Sequence, residues 1–306
     1  MLNYVLKRVL STIPTLFIII TIAFFMIRMA PGGPFDSERP VPAEIAENLD
    51  RVYHLNDPLP VQYAHYVWNL LHGDFGPSFK YQDYTVTELI SLGFPVSLKL
   101  GFLAMFLALL IGLVLGSIAA LRQNSWADYT VMSFAMTGIT VPNFVMAPIL
   151  ALVFGVFLGW LPVAGWGELK HFVLPVIALS LPQIATVARM TRASLIETLH
   201  SPFIRTAKAK GMPTHIILLR HASKSTLLPI ISWLGPAFAA IITGSVVIEQ
   251  IFGLPGIGRY FVQGALNRDY TLVMGVVVFY AVLIIVMNLV VDLLYKVLDP
   301  RVRYDA

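Results

Sequence analysis

Six long runs of apolar residues dominate this sequence and constrain its fold more than any other feature. A helix needs about 20 mostly apolar residues to cross the hydrocarbon core of a bilayer. Charged residues make up only 12% of the chain, against about 25% in soluble domains. The sequence therefore predicts an all-α membrane protein with six transmembrane helices, at Val9–Ile27, Ser97–Leu121, Val131–Leu158, Phe172–Ala188, Leu227–Val247 and Leu272–Tyr295.

The first apolar run could also be a secretory signal peptide, because it follows a basic start. The run extends over 19 residues, however, and the sequence after it, Arg28–Gly32, is a poor cleavage site for a signal peptidase. We therefore expect an uncleaved transmembrane helix at the N-terminus.

The distribution of Lys and Arg predicts the orientation of the six helices. Six spans put both termini on the same side, and short cytoplasmic loops carry an excess of positive charge. With the N-terminus inside, the short outer loops hold three basic residues, Lys170, Arg259 and Arg268. The inner segments then hold thirteen, namely Lys7, Arg8, Arg122, Arg189, Arg192, Arg205, Lys208, Lys210, Arg220, Lys224, Lys296, Arg301 and Arg303. We expect both termini to be cytoplasmic.

The segment between the first two spans, residues 31–95, is the one sizeable piece outside the membrane. It contains nine acidic residues and many turn residues, and its apolar spacing predicts short helices at Ala43–Tyr53 and Val61–Leu71. We expect a folded external cap, with a solvated loop as the alternative. The predicted organisation is a helix plus cap over residues 1–93, a transport domain over 94–296 with a cytoplasmic loop at 189–225, and a cytoplasmic tail over 297–306.

Prolines and small residues mark the predicted helices. Each proline frees a backbone carbonyl, which is tolerated where neighbouring helices or a water-filled cavity can satisfy it. The third to fifth helices could therefore bend about a pathway, although ordinary kinking is the simpler interpretation. Gly112-x-x-x-Gly116 predicts a face for close helix packing. The prolines concerned are Pro142, Pro148, Pro175, Pro182, Pro229 and Pro236.

The chemistry that would energise transport or support catalysis is absent from the sequence. There is no phosphate-binding G-x-x-x-x-G-K-[ST] motif, and the glycine-rich stretch Gly253–Gly258 is typical of a turn. Ion-coupled carriers place carboxylates near mid-membrane, whereas Glu249 and Asp292 fall near the ends of predicted spans. No histidine lies within a span and the chain has no cysteine. We expect no catalytic residue, metal site or cofactor in this chain, and an energy source in another chain.

The cytoplasmic loop at residues 189–225 carries seven Lys or Arg residues and one acid, Glu197. Ser201 followed by Pro202 predicts the start of a short helix, and Gly211 followed by Pro213 predicts its end. Phe203, Ala207 and Gly211 are spaced by four, so such a helix would present one small apolar face, with Arg205 and Lys208 beside it. From the residues alone, this loop either lies on anionic lipid headgroups or docks a partner.

Three stretches resemble the dipeptide/oligopeptide/nickel permease family of ABC importers. The first is Arg205–Gly211, with Arg220-His221-Ala222 and Leu227-Leu228-Pro229, which resembles the family's version of the EAA loop. The others are Gly73–Phe79 before the second helix, and Glu249–Gly258 with Asn267–Tyr270 before the last. Arg205 stands where the general importer consensus has Glu, and Thr206 replaces its first Ala, which favours the peptide-type subfamily.

The resemblance implies a type I ABC importer fold in a bacterial inner membrane. It implies a second, similar permease subunit, two cytoplasmic ATPases that bind ATP and Mg²⁺, and an external peptide-binding protein, with no nucleic acid. Peptide is the expected substrate; a dipeptide, a nickel or metal complex, and a secondary carrier are alternatives. The ATPase-coupling residues are expected to be Phe203, Arg205, Thr206, Ala207, Lys208, Ala209, Gly211 and His221. The residues facing the binding protein are expected to be Glu249, Pro255, Gly256, Gly258, Arg268 and Asp269.

Overall fold

The computed structural model describes residues 2–29, 56–81 and 83–298, with backbone alone for residues 2–9, 244 and 294–298. The predicted cap helix Ala43–Tyr53 and all but the first two residues of the predicted tail lie outside these ranges. Apart from an isolated bridge between Pro77 and Thr85, the described residues contain no β-pairing. The all-α prediction is therefore confirmed for this part of the chain.

The helices of the described residues are α1 (Leu2–Arg28), α2 (Leu59–Leu71), α3 (Val86–Leu121), α4 (Trp126–Thr140), α5 (Asn143–Leu150), α6 (Lys170–Leu199), α7 (Pro202–Ala209), α8 (Thr214–Ile216), α9 (Ser223–Gly244), α10 (Val246–Phe252), α11 (Ile257–Leu266) and α12 (Tyr270–Leu298). π-Helical turns extend α5 through Ala151–Phe157 and join α8 to α9 through Ile217–Ala222. Among the described residues, five helices are long and apolar enough to cross a membrane, or six spans if the bent pair α4–α5 counts as one. The second predicted cap helix, Val61–Leu71, corresponds to α2.

The predicted third span, Val131–Leu158, is not one straight helix. The chain bends by 103° between Trp126–Thr140 and Asn143–Phe157. Val141 adopts an extended backbone (φ −94°, ψ 117°), which is the conformation that a following proline imposes. Pro142 therefore breaks the helix, whereas the prolines predicted as possible interruptions in α6 and α9 remain inside continuous helices.

Several predicted spans are longer in the structure than in the sequence pattern, and two of them extend by about ten residues at one end. Helix α3 begins at Val86 instead of Ser97, and α6 continues to Leu199 instead of ending at Ala188. The extension of α6 has a physical cause, because Thr191 and Leu195 are buried there against other residues of the chain. The last turns of α6 thus form a stem that carries the fold into the basic loop.

The chain divides into two compact units. One combines the residues up to Ser97 with Pro255–Ile285. Its core consists of Val86, Leu89, Ile90, Ile257, Leu272 and Val276, with aromatic side chains packed against them. The start of α3, the first turn of α11 and the start of α12 share this core, so buried aliphatic contacts hold the loops that precede these helices.

The other unit combines Leu98–Leu254 with the residues from Val286. Helix α6 is packed at its centre through glycines. A Cβ on Gly112 would lie 2.7 Å from Val187 Cβ, and one on Gly116 would lie 2.5 Å from the Ala188 carbonyl oxygen. Gly138 of α4 approaches α6 just as closely, because a Cβ on Gly138 would lie 2.3 Å from the Leu181 carbonyl oxygen. The close packing predicted from Gly112-x-x-x-Gly116 is confirmed, and α3 and α4 each pack on α6 with little freedom to slide.

Candidate functional site

The basic loop contains a short helix, α7, at the position that the sequence predicts. Pro202 occupies its first turn, and Ser201 precedes it with an extended backbone. The Ser201 hydroxyl does not cap the helix, however, because it donates to the Thr198 carbonyl at 2.6 Å. At the other end Gly211 has φ +73°, a left-handed conformation that glycine adopts without a Cβ penalty. Pro213 then starts the next helical segment.

One face of α7 anchors it to the rest of the chain. Ile204 is 0% exposed and Ala207 is 4% exposed. They belong to a buried cluster with Ala120, Leu195, Ile217 and Ala222, against which Ile196, Leu199, Met212 and Leu218 also pack. This cluster joins α7 to the end of α3, the stem of α6 and the π-helical start of the next span. The cluster therefore holds α7 against these three segments.

The anchoring corrects the predicted apolar face of α7. Phe203, Ala207 and Gly211 were expected to form one surface open to a partner, but Ala207 is buried within its own chain. Ala207 lies on the same face of α7 as Ile204, and burial of the larger Ile204 side chain turns this face toward the rest of the chain. The other predicted residues of α7 are exposed: Phe203, Arg205, Thr206, Lys208 and Ala209, followed by Gly211. His221 is half-buried in the π-helical turn.

The exposed surface of α7 combines charge with one aromatic ring. Phe203 is 49% exposed, so its ring is accessible to a partner. Arg205, Thr206 and Lys208 are exposed around the part of the helix that Ile204 and Ala207 leave free. We call the exposed residues Phe203, Arg205, Thr206, Lys208, Ala209 and Gly211 the coupling surface. Such a surface suits a partner groove that has acidic groups at its rim.

An ion pair that was not predicted from the sequence joins the stem of α6 to α4. Arg192 Nε donates to Asp128 Oδ1 and its Nη2 donates to Oδ2, both at 2.7 Å. Asp128 is 1% exposed and also accepts from the Asn124 amide at 2.9 Å. The signal available in the sequence was Ser125-x-x-Asp128, a helix-capping pattern, and Ser125 does accept from the Asp128 amide at 3.3 Å. The pair fixes the first turn of α4 to α6.

Asp269, predicted to face a binding protein, is buried and organises the start of α12. Its Oδ2 accepts from the Ser78 hydroxyl at 2.5 Å and from the Lys80 amide at 3.1 Å. Its Oδ1 accepts from the Thr271 hydroxyl at 3.0 Å and from the Leu272 amide at 3.1 Å. One carboxylate thereby caps α12 and holds the loop that precedes α3.

Glu249, the second buried acid of the predicted outer segment, lies in α10. It is 0% exposed, and its Oε1 accepts from the Ser245 hydroxyl at 2.5 Å. Gly253 ends α10 with φ +64°, so the predicted turn is present at Gly253–Gly256, whereas Ile257 and Gly258 already belong to α11. The Glu249 carbonyl accepts from the Leu254 amide at 2.8 Å, which closes this turn.

The remaining residues of the predicted outer segment differ in exposure. Gly256 and Gly258 are buried, Pro255 is half-buried and Arg268 is exposed. A Cβ on Gly93 would lie 2.9 Å from the Ile257 amide nitrogen, so the turn is closely packed. A role of these residues in binding-protein contact stays a prediction, and Arg268 is the one whose side chain is accessible for it. Within the described residues, no cluster of three or more His, Asp or Glu side chains is arranged to hold a metal ion.

The comparisons with known proteins agree with this architecture. The profile of the family described as "Binding-protein-dependent transport system inner membrane component" matches residues 112–304. A second profile, "Binding-prot-dependent transport system membrane comp, N-term", matches residues 1–101. The chain therefore belongs to the family of inner membrane components of binding-protein-dependent transport systems, and it is a multi-pass membrane permease subunit.

Individual relatives are similar over their whole length. The chain is 58% identical to the oligopeptide transport system permease protein OppB of Salmonella typhimurium over 306 residues, covering 99% of this chain and 100% of the relative. It is 57% identical to OppB of Escherichia coli K12 with the same coverage. The dipeptide transport system permease protein DppB of Bacillus subtilis is 45% identical over 303 residues, covering 99% of this chain and 98% of the relative.

Solved structures confirm the predicted fold class. An inward-facing MetNI methionine ABC transporter matches with a TM-score of 0.57 at 16% identity, covering 69% of this chain and 96% of that one. An amino acid ABC transporter with histidines matches with a TM-score of 0.52 at 21% identity, covering 71% and 95%. At these identities the likeness concerns the fold, which is that of type I ABC importer permeases.

Proposed function

We propose that this chain is one permease subunit of an ATP-driven oligopeptide importer and forms half of its translocation pathway. The observation that carries the proposal is the coupling surface, exposed on a helix that Ile204 and Ala207 anchor to the ends of three membrane-associated segments. The 58% identity to OppB of Salmonella typhimurium over the whole chain supports peptide as the substrate. The chain would be a non-catalytic subunit.

The complete transporter would contain four further components. A second permease subunit of the OppC type would form the other half of the pathway, and an external binding protein would deliver the peptide. Two cytoplasmic ATPase subunits would bind ATP and Mg²⁺, since this sequence has no phosphate-binding loop. The excess of Lys and Arg in the segments assigned to the inside supports a cytoplasmic location of both termini.

The structure supports a direct mechanical route from the ATPase into the membrane. Closure of the ATPase pair on ATP would displace α7 through the coupling surface, with Arg205 and Lys208 against acidic groups. The buried cluster around Ile204 would pass this displacement to the stem of α6. Because Gly112 and Gly116 hold α3 against α6 without intervening side chains, the two helices would move together. The pathway would then open toward the docked binding protein.

The proposal is tested by reconstituting the five-component complex in liposomes. We expect uptake of an oligopeptide that requires ATP and the binding protein and that persists when ion gradients are collapsed. Uptake driven by an ion gradient without the ATPases would contradict the proposal and indicate a secondary carrier. Competition by unlabelled dipeptides or by nickel complexes would show whether one of these is the preferred substrate instead.

A further inference from the structure

Arg28, at the outer end of α1, carries a positive charge that no carboxylate of the described residues pairs with. Its guanidinium carbon lies 5.5 Å from the Phe24 ring centroid and 5.8 Å from the Tyr270 ring centroid. Its Nε is buried, and within the described part of the chain it has no hydrogen-bond acceptor. Two ring faces stabilise a cation only in part, and a partly buried charge usually has an ionic partner. The guanidinium is therefore poised to accept an anion.

The Arg28 side chain lines a cavity of about 290 Å³ within the first unit. Helix α2 covers α1 beside it, since the Tyr63 ring lies 5.3 Å from the Phe24 ring and its hydroxyl lies 2.6 Å from the Thr21 hydroxyl. Polar side chains of α1, α2 and α12 line this cavity. Its lining includes Arg28, Tyr66, Asn69, Phe75, Pro77 and Thr271.

Tyr66 supplies an independent indication of a ligand. Its hydroxyl is buried and makes no hydrogen bond in the described part of the chain, and a buried hydroxyl without a partner is costly. Burial raises the pKa of the Tyr66 hydroxyl, so the group keeps its proton and can donate. The cavity thus combines a guanidinium and a phenol, both donors that lack an acceptor among the described residues.

We propose that this cavity binds a carboxylate, and that the carboxylate is the C-terminal group of the transported peptide. A guanidinium binds a planar carboxylate through two parallel hydrogen bonds, and Tyr66 and Asn69 can supply further donors. Phe75 and Pro77 supply an apolar wall for the terminal side chain of the peptide. Because α2 and the loop at residues 75–77 line the cavity, access from the aqueous side fits better than access from the hydrocarbon. The identity of the ligand rests on the proposed function.

The test compares uptake of a peptide with uptake of its C-terminal amide by the reconstituted complex. Arg28→Gln removes the charge, Arg28→Lys keeps the charge and loses the forked geometry, and Lys80→Gln is the matched control. Lys80 is an exposed residue of the same unit and does not line the cavity. The ratio of affinities of the isolated binding protein for the acid and the amide is measured separately. The uptake ratio is divided by this ratio, which leaves the preference of the permease.

Loss of a charge-assisted hydrogen-bonded pair is expected to lower the remaining acid-to-amide preference about tenfold in Arg28→Gln. Arg28→Lys is expected to be intermediate, and Lys80→Gln to equal the wild type. If Arg28→Gln prevents assembly of the complex, Tyr66→Phe provides the same comparison with a smaller expected decrease. An unchanged preference in the assembled variants would overturn the proposal.

Two other results have distinct meanings. If Arg28→Gln slows acid and amide equally, and the effect depends on phosphatidylglycerol in the liposomes, the anion is a lipid phosphate and the peptide assignment is overturned. If the wild-type complex takes up neither peptide, the proposed function itself fails. In contrast, wild-type uptake with an unchanged preference in Arg28→Gln contradicts the carboxylate site alone.

Discussion

Replacement of Ile204 by alanine separates the anchoring of α7 from its contact with an ATPase. Ile204 and Ala207 are the buried side chains of this helix of eight residues, which is too short to be stable alone. Truncation of a well-packed isoleucine to alanine costs about 2–5 kcal/mol. A loss of about 3 kcal/mol would raise the undocked population of α7 by roughly a hundredfold. We therefore expect weaker coupling, with ATP hydrolysis retained and peptide uptake reduced.

Hydrogen exchange in the segment 202–212 measures this undocking directly in the purified permease. The matched control is Phe203→Ala, because Phe203 is the adjacent residue and is 49% exposed. Its removal is expected to leave exchange unchanged while weakening attachment of the ATPases. If Ile204→Ala and Phe203→Ala gave the same exchange rates in the isolated permease, the assignment of Ile204 as the anchor would be refuted.

Three further predictions concern other parts of the structure. Gly211 has φ +73° and open space where a Cβ would lie, so Gly211→Asn should keep ATP-dependent uptake. Gly211→Trp should uncouple ATP hydrolysis from uptake, and intact uptake and assembly in this variant would contradict the docking role. Arg192→Gln leaves the buried Asp128 carboxylate without its ion-pair partner and should lower the free energy of unfolding by about 3 kcal/mol, measured by thermal unfolding. The double variant Arg192→Gln with Asp128→Asn should lose less stability, and equal losses in the single and double variants would refute coupling of the pair. Asp269→Ala removes the acceptor of four hydrogen bonds. It should lower the free energy of unfolding by about 2 kcal/mol or more and speed proteolysis of the loop before α3. Arg268→Ala, at an exposed residue, should instead weaken the affinity for the binding protein at unchanged stability.

The sequence was sufficient to predict the features that depend on local composition. Apolar length predicted the spans, and Ser201, Pro202 and Gly211 predicted the bounds of α7 within one or two residues. The close approach at Gly112 and Gly116 was predictable because only small residues permit such packing. These features follow from length, backbone conformation and side-chain volume, which a single sequence displays.

Features that depend on residues far apart in the chain could not be predicted in this way. The pairing of Asp128 with Arg192 joins positions that have no shared local pattern. The orientation of α7 depends on what Ile204 packs against, so the buried position of Ala207 became evident only in the structure. Similarly, Pro142 breaks its helix while Pro182 does not, although both occur in apolar runs.

Thiol labelling can show whether the coupling surface of α7 docks an ATPase subunit. The chain contains no cysteine, so Lys208→Cys introduces a single reactive probe, and Arg268→Cys on the predicted outer segment serves as the control. In membranes that contain the permease pair, we expect rapid labelling of Lys208→Cys without the ATPases and strong protection with them, while labelling of Arg268→Cys is unaffected. Equal labelling of Lys208→Cys with and without bound ATPases would contradict the claim.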